Sequence, residues 1–178
     1  MWPDSVSPPL INADLAKVPA TTPVILFTHD QPTSEAKYFT NPNSPFDING
    51  TNKYENLLFD TYADVQGTGN IPGLSTDIEQ RAFVAWLKTH RNIVAYFNGN
   101  DNQKEFYTYT GPDKDISLNV FCVDPPIKGD ISATDASKLS FQVVSIDASA
   151  SFMMVREYRW NSKNWGNSVT VSLLPRTI

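Results

Sequence analysis

Two groups of side chains in this sequence have the types and spacing for metal chemistry, and each follows a short apolar run. His29 comes just after Pro23–Phe27, and Ile93–Phe97 leads into four oxygen-bearing side chains around Gly99. Those four are Asn98, Asn100, Asp101 and Asn102. Imidazole is the commonest metal ligand in proteins, and amide and carboxylate oxygens bind hard divalent cations. Two simpler interpretations stay open, because Asn, Asp and Gly also make turns and a loop histidine can bond to a backbone carbonyl.

The two apolar runs have the pattern of β-strands that are buried on both faces of a sheet. A helix is predicted before the second of them, from about Asp77 to His90, because Thr76 and Glu79 have capping-box spacing. Its apolar side chains recur at helical intervals: Ile78, Ala82, Phe83, Trp86 and Leu87. We interpret His90 as structural, since an imidazole in a last turn can meet exposed carbonyls. Ligands bind at strand ends in α/β proteins, so His29 and the amides are the candidate site.

The chain after Glu105 reads as a series of strands without a helix. The predicted strands are Phe106–Thr110, Ile116–Val123, Leu139–Ile146, Ser151–Trp160 and Val169–Leu174. Leu139–Val143 alternates between apolar and polar residues, so one face of that strand should be buried and the other exposed to solvent. Asp147–Ala150 reads as a hairpin connection. Two α-to-β steps followed by an antiparallel meander predict an α+β fold with a mixed sheet or two stacked sheets.

The remaining segments give weaker signals. Residues 1–22 are rich in Pro, Ser and Thr and are predicted to be irregular, although residues 14–17 could end a helix. Residues 33–50 form a long polar loop, which is typical of lids and binding loops. A further helix is predicted from about Asn52, and Gly67–Gly73 reads as a connector without the lysine of a phosphate loop. We assign residues 1–178 to one domain.

Composition excludes several classes of protein. The 178-residue chain has a net charge of -5 and no cluster of Lys and Arg, which argues against nucleic-acid binding. Cys122 is the only cysteine, so no intrachain disulfide can form. The amino terminus lacks the basic and apolar regions of a signal peptide, and no apolar run approaches the roughly 18 residues of a membrane span. We therefore expect a soluble, cytoplasmic protein with no membrane partner.

With both strand ends assigned, most of residues 20–160 resembles the carboxy-terminal half of calcineurin-like metallophosphoesterases. His29 matches the lone histidine that follows a buried strand in that family, and Gly99–Asn102 stands where the family has Gly-His-x-His. Asn102 to Pro112 resembles a bacterial branch that continues with Glu-Phe-Tyr and Thr-Gly-Pro. The resemblance implies the second half of an α/β/β/α sandwich, a phosphoric ester hydrolase lineage and a divalent metal cofactor, either Mn, Zn or Fe.

The same resemblance implies roles for individual residues. His29, Asn100 and Asn102 would be metal ligands, with His29 also catalytic. Asn98, Asp101 and Glu105 would form the pocket rim. Asparagine replaces both histidines of the family motif, and an amide oxygen is an uncharged and weaker ligand than imidazole for Zn or Fe.

The metal motifs of the family's first half are absent from this sequence. No Asp-x-His occurs, and Gly129–Asp135 imitates Gly-Asp-x-x-Asp with a spacing that is two residues too long. The expected function is therefore a metallophosphoesterase-like protein that is inactive or incomplete as this chain. The implied partners are a missing amino-terminal half or a homodimer partner, with a phosphoester as the substrate of an active form.

Two other functions stay open at this point. One is a non-catalytic binding module of the same lineage that uses the cleft edge and aromatic side chains to bind a partner or a glycan. The candidate aromatics are Phe106, Tyr107, Tyr109, Trp160 and Trp165. Aromatic residues of strands are also common in cores and cross-strand pairs, which is the structural alternative for these five. The other function is a scaffold without a surviving site.

Overall fold

The computed structural model describes residues 7–29, 31–32, 77–99, 105–122, 134–135, 139–147, 149 and 151–177. The described elements are α1 (Ser7–Leu15), β1 (Val24–Phe27), α2 (Asp77–Thr89), β2 (Ile93–Asn98), β3 (Glu105–Tyr109), β4 (Leu118–Cys122), β5 (Ser140–Asp147), β6 (Phe152–Arg159) and β7 (Asn164–Ser172). They form the α+β fold that the sequence predicts. Neither described helix is long and apolar enough to span a membrane.

The strands form two sheets of different kinds. Sheet A has the order β1-β2-β4-β3, in which β1, β2 and β4 are parallel and β3 is antiparallel to β4. Sheet B is an antiparallel meander of β5, β6 and β7. The sequence predicted a mixed sheet or two stacked sheets, and the molecule has both features. The predicted loop over residues 33–50, the helix from about Asn52 and the connector Gly67–Gly73 lie outside the described residues.

Helix α2 covers one face of sheet A with Phe83, Trp86 and Leu87 of its predicted apolar stripe, whereas Ala82 of that stripe is exposed. Phe83 and Leu87 are fully buried there against Tyr96 of β2 and side chains of β4. His90 just after the helix places Nδ1 2.9 Å from the carbonyl oxygen of Trp86, and its ring lies 4.9 Å from the Trp86 ring. The structural interpretation of His90 is confirmed. The capping pair Thr76 and Glu79 falls outside the described side chains.

Helix α1 lies inside the segment that was predicted to be irregular. Residues 7–15 are helical, and Pro8 and Pro9 stand in the first turn, where the missing N–H groups are not needed. The helix is fixed by a tertiary contact, because Trp86 of α2 donates its indole N–H to Asn12 over 2.7 Å. The possible helix end at residues 14–17 agrees with α1, which ends at Leu15, but a contact between residues so distant in sequence leaves no local pattern that predicts the rest of the helix.

The two sheets stack on each other through a second apolar core. Sheet A contributes Val94, Ala95, Phe97 and Phe121, and sheet B contributes Met153, Val155, Val171 and Leu173. We call the face of sheet B that carries these side chains its inner face. The molecule therefore has three layers in its described part: helices, sheet A and sheet B.

Strand β5 lacks the clean alternation of burial that was predicted for it, since most of its second half is exposed, and its aromatic residue lies on the outer face of sheet B. Val144 pairs with Val155 of the inner face, while Phe141 pairs with Tyr158 on the opposite face. Ser140 is buried and Phe141 is exposed. The alternation identifies which residues share a face, but only tertiary packing decides which face meets sheet A.

A β-bulge on the inner face surrounds a buried carboxylate. The pairing of β6 with β7 shifts so that Glu157 alone faces Gly166 and Asn167. Glu157 is 1% exposed, and its Oε2 accepts a hydrogen bond from the Asn167 backbone N–H over 3.0 Å. Arg159 Nε lies 3.6 Å from the other carboxylate oxygen. A Cβ atom at Gly166 would stand 2.0 Å from Glu157 Oε2, so only glycine fits beside this carboxylate.

Candidate functional site

The candidate site lies at the edge of sheet A where its parallel strands end. Strands β1, β2 and β4 run in one direction, and Asn98 pairs with Cys122 at the last residues of β2 and β4. Strand β3 runs the other way and begins at this edge, since Glu105 also pairs with Cys122. We call this the carboxyl edge of sheet A. Residues from four strands meet there although they are far apart in sequence.

His29 lies beside Asn98 and Gly99, the start of the amide-rich stretch at residues 98–102. The two positions meet because the strands that precede them are parallel neighbours in sheet A. The pairing of β1 with β2 continues beyond β1, because the Thr28 N–H donates to the Phe97 carbonyl over 2.9 Å. The Gly99 N–H then donates to the His29 carbonyl over 3.0 Å. The His29 side chain is exposed at this point. His29 and the start of the amide-rich stretch are therefore adjacent in the structure.

Asn98 is buried rather than at an open rim. It is 9% exposed, and both its Nδ2 and its Oδ1 are buried without a hydrogen-bond partner among the residues that the structure describes. A buried amide without hydrogen bonds costs free energy, so such groups almost always have partners. A partner for Asn98 must therefore come from another part of the chain or from a bound ligand.

Cys122 is a residue of this edge that the sequence did not identify. It is a buried thiol outside any disulfide, and its Sγ donates to the Gly99 carbonyl over 3.6 Å. Together with the bond between Gly99 and His29, this contact fixes the backbone at the start of the amide-rich stretch. The only signal in the sequence was that Cys122 lies next to the end of the predicted strand Ile116–Val123, which says nothing about which neighbouring strand it joins.

The other predicted site residues are described only in part. Asn100, Asp101 and Asn102 lie outside the described residues. Both residues that flank the intervening segment, Gly99 and Glu105, lie at the carboxyl edge by their pairing and hydrogen bonds. For Glu105 the backbone is described and the side chain is not.

The described donors at this edge do not fit a centre of two divalent metals. A two-metal phosphoesterase centre holds its ions roughly 3.5–4 Å apart between ligands that supply negative charge, chiefly carboxylates. Here the described donors are the His29 imidazole, the Asn98 amide and the Cys122 thiol, and none of them is a carboxylate. Within the described part of the chain no group of three or more His, Cys, Asp and Glu side chains could hold a metal ion.

The five candidate aromatics for a binding module fall into two groups. Tyr109 is buried, Tyr107 packs against the helix-side core, and Phe106 meets Phe121 edge to face with ring centroids 5.2 Å apart. These three are structural. Trp160 and Trp165 are 51% and 48% exposed at sheet B.

The described part of the carboxyl edge thus presents an exposed imidazole, a buried amide and a thiol at three adjacent strand ends. Without a carboxylate among them, these donors suit a polar ligand or one weakly held cation better than a pair of divalent ions. Comparison of the chain with protein-family models, with curated proteins and with solved structures finds no match.

Proposed function

We propose that this chain is a metallophosphoesterase-like protein of the phosphoric ester hydrolase lineage that does not hydrolyse phosphoesters by itself. The observation that supports the proposal is the contact between His29 and Gly99 at the ends of two adjacent parallel strands. Helix α2 comes between these strands in the sequence. The resemblance requires this placement for a lone histidine and a Gly-His-x-His motif.

The absence of turnover follows from the charge of the donors. In a two-metal mechanism the ions activate a water molecule and clamp the phosphoryl oxygens, and the ligands must hold both ions in place. Asn100 and Asn102 replace imidazoles with neutral amides, and the carboxylate motifs of the family's first half are missing. A net charge of -5 also disfavours an anionic substrate without bound cations. The carboxyl edge corresponds in position to the metal site of the family, but this chain does not supply the family's metal-binding side chains there.

Calorimetric titration with Mn²⁺ and Zn²⁺, beside a generic phosphodiester assay, tests this proposal. We expect dissociation constants of about millimolar, typical of weak oxygen-ligand sites, and no phosphodiester turnover above that of His29→Ala. His90→Asn is the matched control, because it removes the other histidine of the chain from a position remote from the edge. Micromolar binding of two ions, with turnover that His29→Ala abolishes and His90→Asn retains, would overturn the proposal.

A second candidate function is binding through sheet B, and a specific observation favours it. Trp160 and Trp165 are half exposed, and the neighbouring Phe141 is 41% exposed on the same face. Exposed patches of large apolar side chains indicate interaction sites, and aromatic residues are enriched in protein interfaces. This function needs no phosphoester chemistry and no metal.

A further inference from the structure

The outer face of sheet B carries a continuous row of aromatic rings. Phe141, Tyr158 and Trp165 are direct cross-strand neighbours on β5, β6 and β7. Their ring centroids are 5.4 Å apart between Phe141 and Tyr158 and 5.0 Å apart between Tyr158 and Trp165. Trp160 extends the row, with its ring 6.4 Å from that of Phe141. We call these four residues the aromatic row. Neither described helix packs against this face.

Two cations lie on the rings of the aromatic row. The guanidinium carbon of Arg156 is 3.9 Å from the centroid of Trp165, and Lys163 Nζ is 4.0 Å from that of Trp160. Neither cation has a carboxylate partner among the described residues, and the buried Nε of Arg156 has no hydrogen-bond partner there.

Several other basic residues that the structure describes have oxygen partners. Arg81 and Lys88 pair with Asp113 and Asp115, and Arg159 lies beside Glu157. The cations of the outer face therefore retain the capacity to bind an anionic group.

The geometry of the rings indicates which anionic ligand fits. The planes within the row are inclined by 50° and 70°, so the rings form clefts rather than a flat platform. Flat bases and sugars need open ring faces for stacking, and Arg156 and Lys163 already cover one face of each tryptophan. A second copy stacked face to face on this surface would bring like charges together.

We infer that the outer face of sheet B binds an acidic peptide segment of a partner protein. Its carboxylates pair with Arg156 and Lys163, and its apolar side chains enter the clefts between the rings of the aromatic row. Arginine and aromatic residues dominate the binding energy of protein interfaces, which agrees with the composition of this face. The inference rests on the second candidate function and is independent of the phosphoesterase proposal.

Fluorescence anisotropy of a labelled synthetic peptide that mixes glutamate with leucine tests the inference on the full chain. We expect saturable binding that weakens with added salt, because exposed charges are screened. Lys163→Gln and Trp160→Ala should each weaken binding by about tenfold, the effect of an interface residue of moderate importance. Both residues lie at the β6–β7 hairpin and are exposed, so the variants should fold, which circular dichroism checks. Lys17→Gln, a change in an exposed lysine on the turn after α1, is the matched control.

Three further probes separate the possible outcomes: a peptide with lysine in place of glutamate, an oligothymidylate and a neutral oligosaccharide. Binding of the acidic peptide alone, lost in Lys163→Gln and kept in Lys17→Gln, supports the inference. Equal binding of the lysine peptide overturns it. Preferential binding of the oligothymidylate or the oligosaccharide through Trp160 overturns the acidic-peptide assignment while the binding function stands. Failure of every probe to bind overturns both.

Discussion

Replacing Gly166 by alanine should lower the free energy of unfolding by about 3 kcal/mol, near the upper end for an overpacked interior site. The new Cβ would stand 2.0 Å from Oε2 of Glu157 and 2.6 Å from its carboxyl carbon. The carboxylate cannot move away cheaply, because it is buried and accepts the Asn167 N–H. The backbone of Gly166 is outside the left-handed region, so the steric clash alone decides the effect. Denaturant unfolding followed by circular dichroism measures it.

Two variants show whether the clash is the cause. Gly99→Ala is the matched control, since the nearest atom to its new Cβ is the His29 carbonyl oxygen at an ordinary 3.9 Å. It should change stability by less than about 1 kcal/mol. In a Glu157→Ala background, the added cost of Gly166→Ala should also fall below about 1 kcal/mol, because contacting residues couple strongly. An undiminished cost in that background would show that the carboxylate is not the obstacle.

Replacing Arg176 by alanine should lower the free energy of unfolding by about 3 kcal/mol, which is what one or two hydrogen bonds from a charged donor contribute. Its guanidinium donates to the carbonyls of Leu87 and Ile93, each over 2.6 Å, and more weakly to that of His90 over 3.4 Å. The Leu87 carbonyl belongs to the last turn of α2, where carbonyls lack helical partners and a cation is favoured. Burial lowers the pKa of Arg176, with the nearby Arg91 adding to the effect. Thermal unfolding measures the loss.

The matched control for Arg176 is Arg81→Ala. Arg81 forms two hydrogen bonds with Asp113, but both side chains are half exposed. Exposed ion pairs contribute little, so the melting temperature should hardly change. Arg176→Lys should fall between the two, because an ammonium keeps the charge but cannot reproduce the planar fork. Equal losses for Arg176→Ala and Arg81→Ala would contradict the proposed role of Arg176 as the cap of α2.

Local patterns in the sequence were sufficient for the elements that position the candidate site. The continuous apolar run of β2 predicts a central strand, and all six of its residues are buried. The apolar stripe of α2 predicts the face that packs on sheet A, where Phe83 and Leu87 are buried. Burial on both faces was also predicted for β1, and this is wrong, because β1 is an edge strand and its Phe27 is 74% exposed. The carboxyl edge follows from the polar residues that come after β1 and β2. Its contact between His29 and Gly99 agrees with that prediction.

Features that depend on pairing between distant residues could not be predicted. Asn98 was assigned to a pocket rim, and its burial depends on neighbours outside its own strand. The bulge at Gly166 exists only because Glu157 of another strand lies opposite. The outer position of Phe141 depends on which face of sheet B meets sheet A. In each case the sequence contains the residue and its local pattern, but the partner that gives it a role is fixed by tertiary structure.

The most direct test of the account is to return the missing imidazoles to the carboxyl edge. Asn100→His with Asn102→His restores Gly-His-x-His, and Zn²⁺ affinity can be measured by calorimetry with and without His29. We predict that the double variant binds Zn²⁺ at least about tenfold more tightly than the wild type, as added imidazole ligands should allow, and that His29→Ala removes this gain. No gain in affinity, or a gain that persists without His29, would contradict the claim that these residues share the site of a metallophosphoesterase lineage.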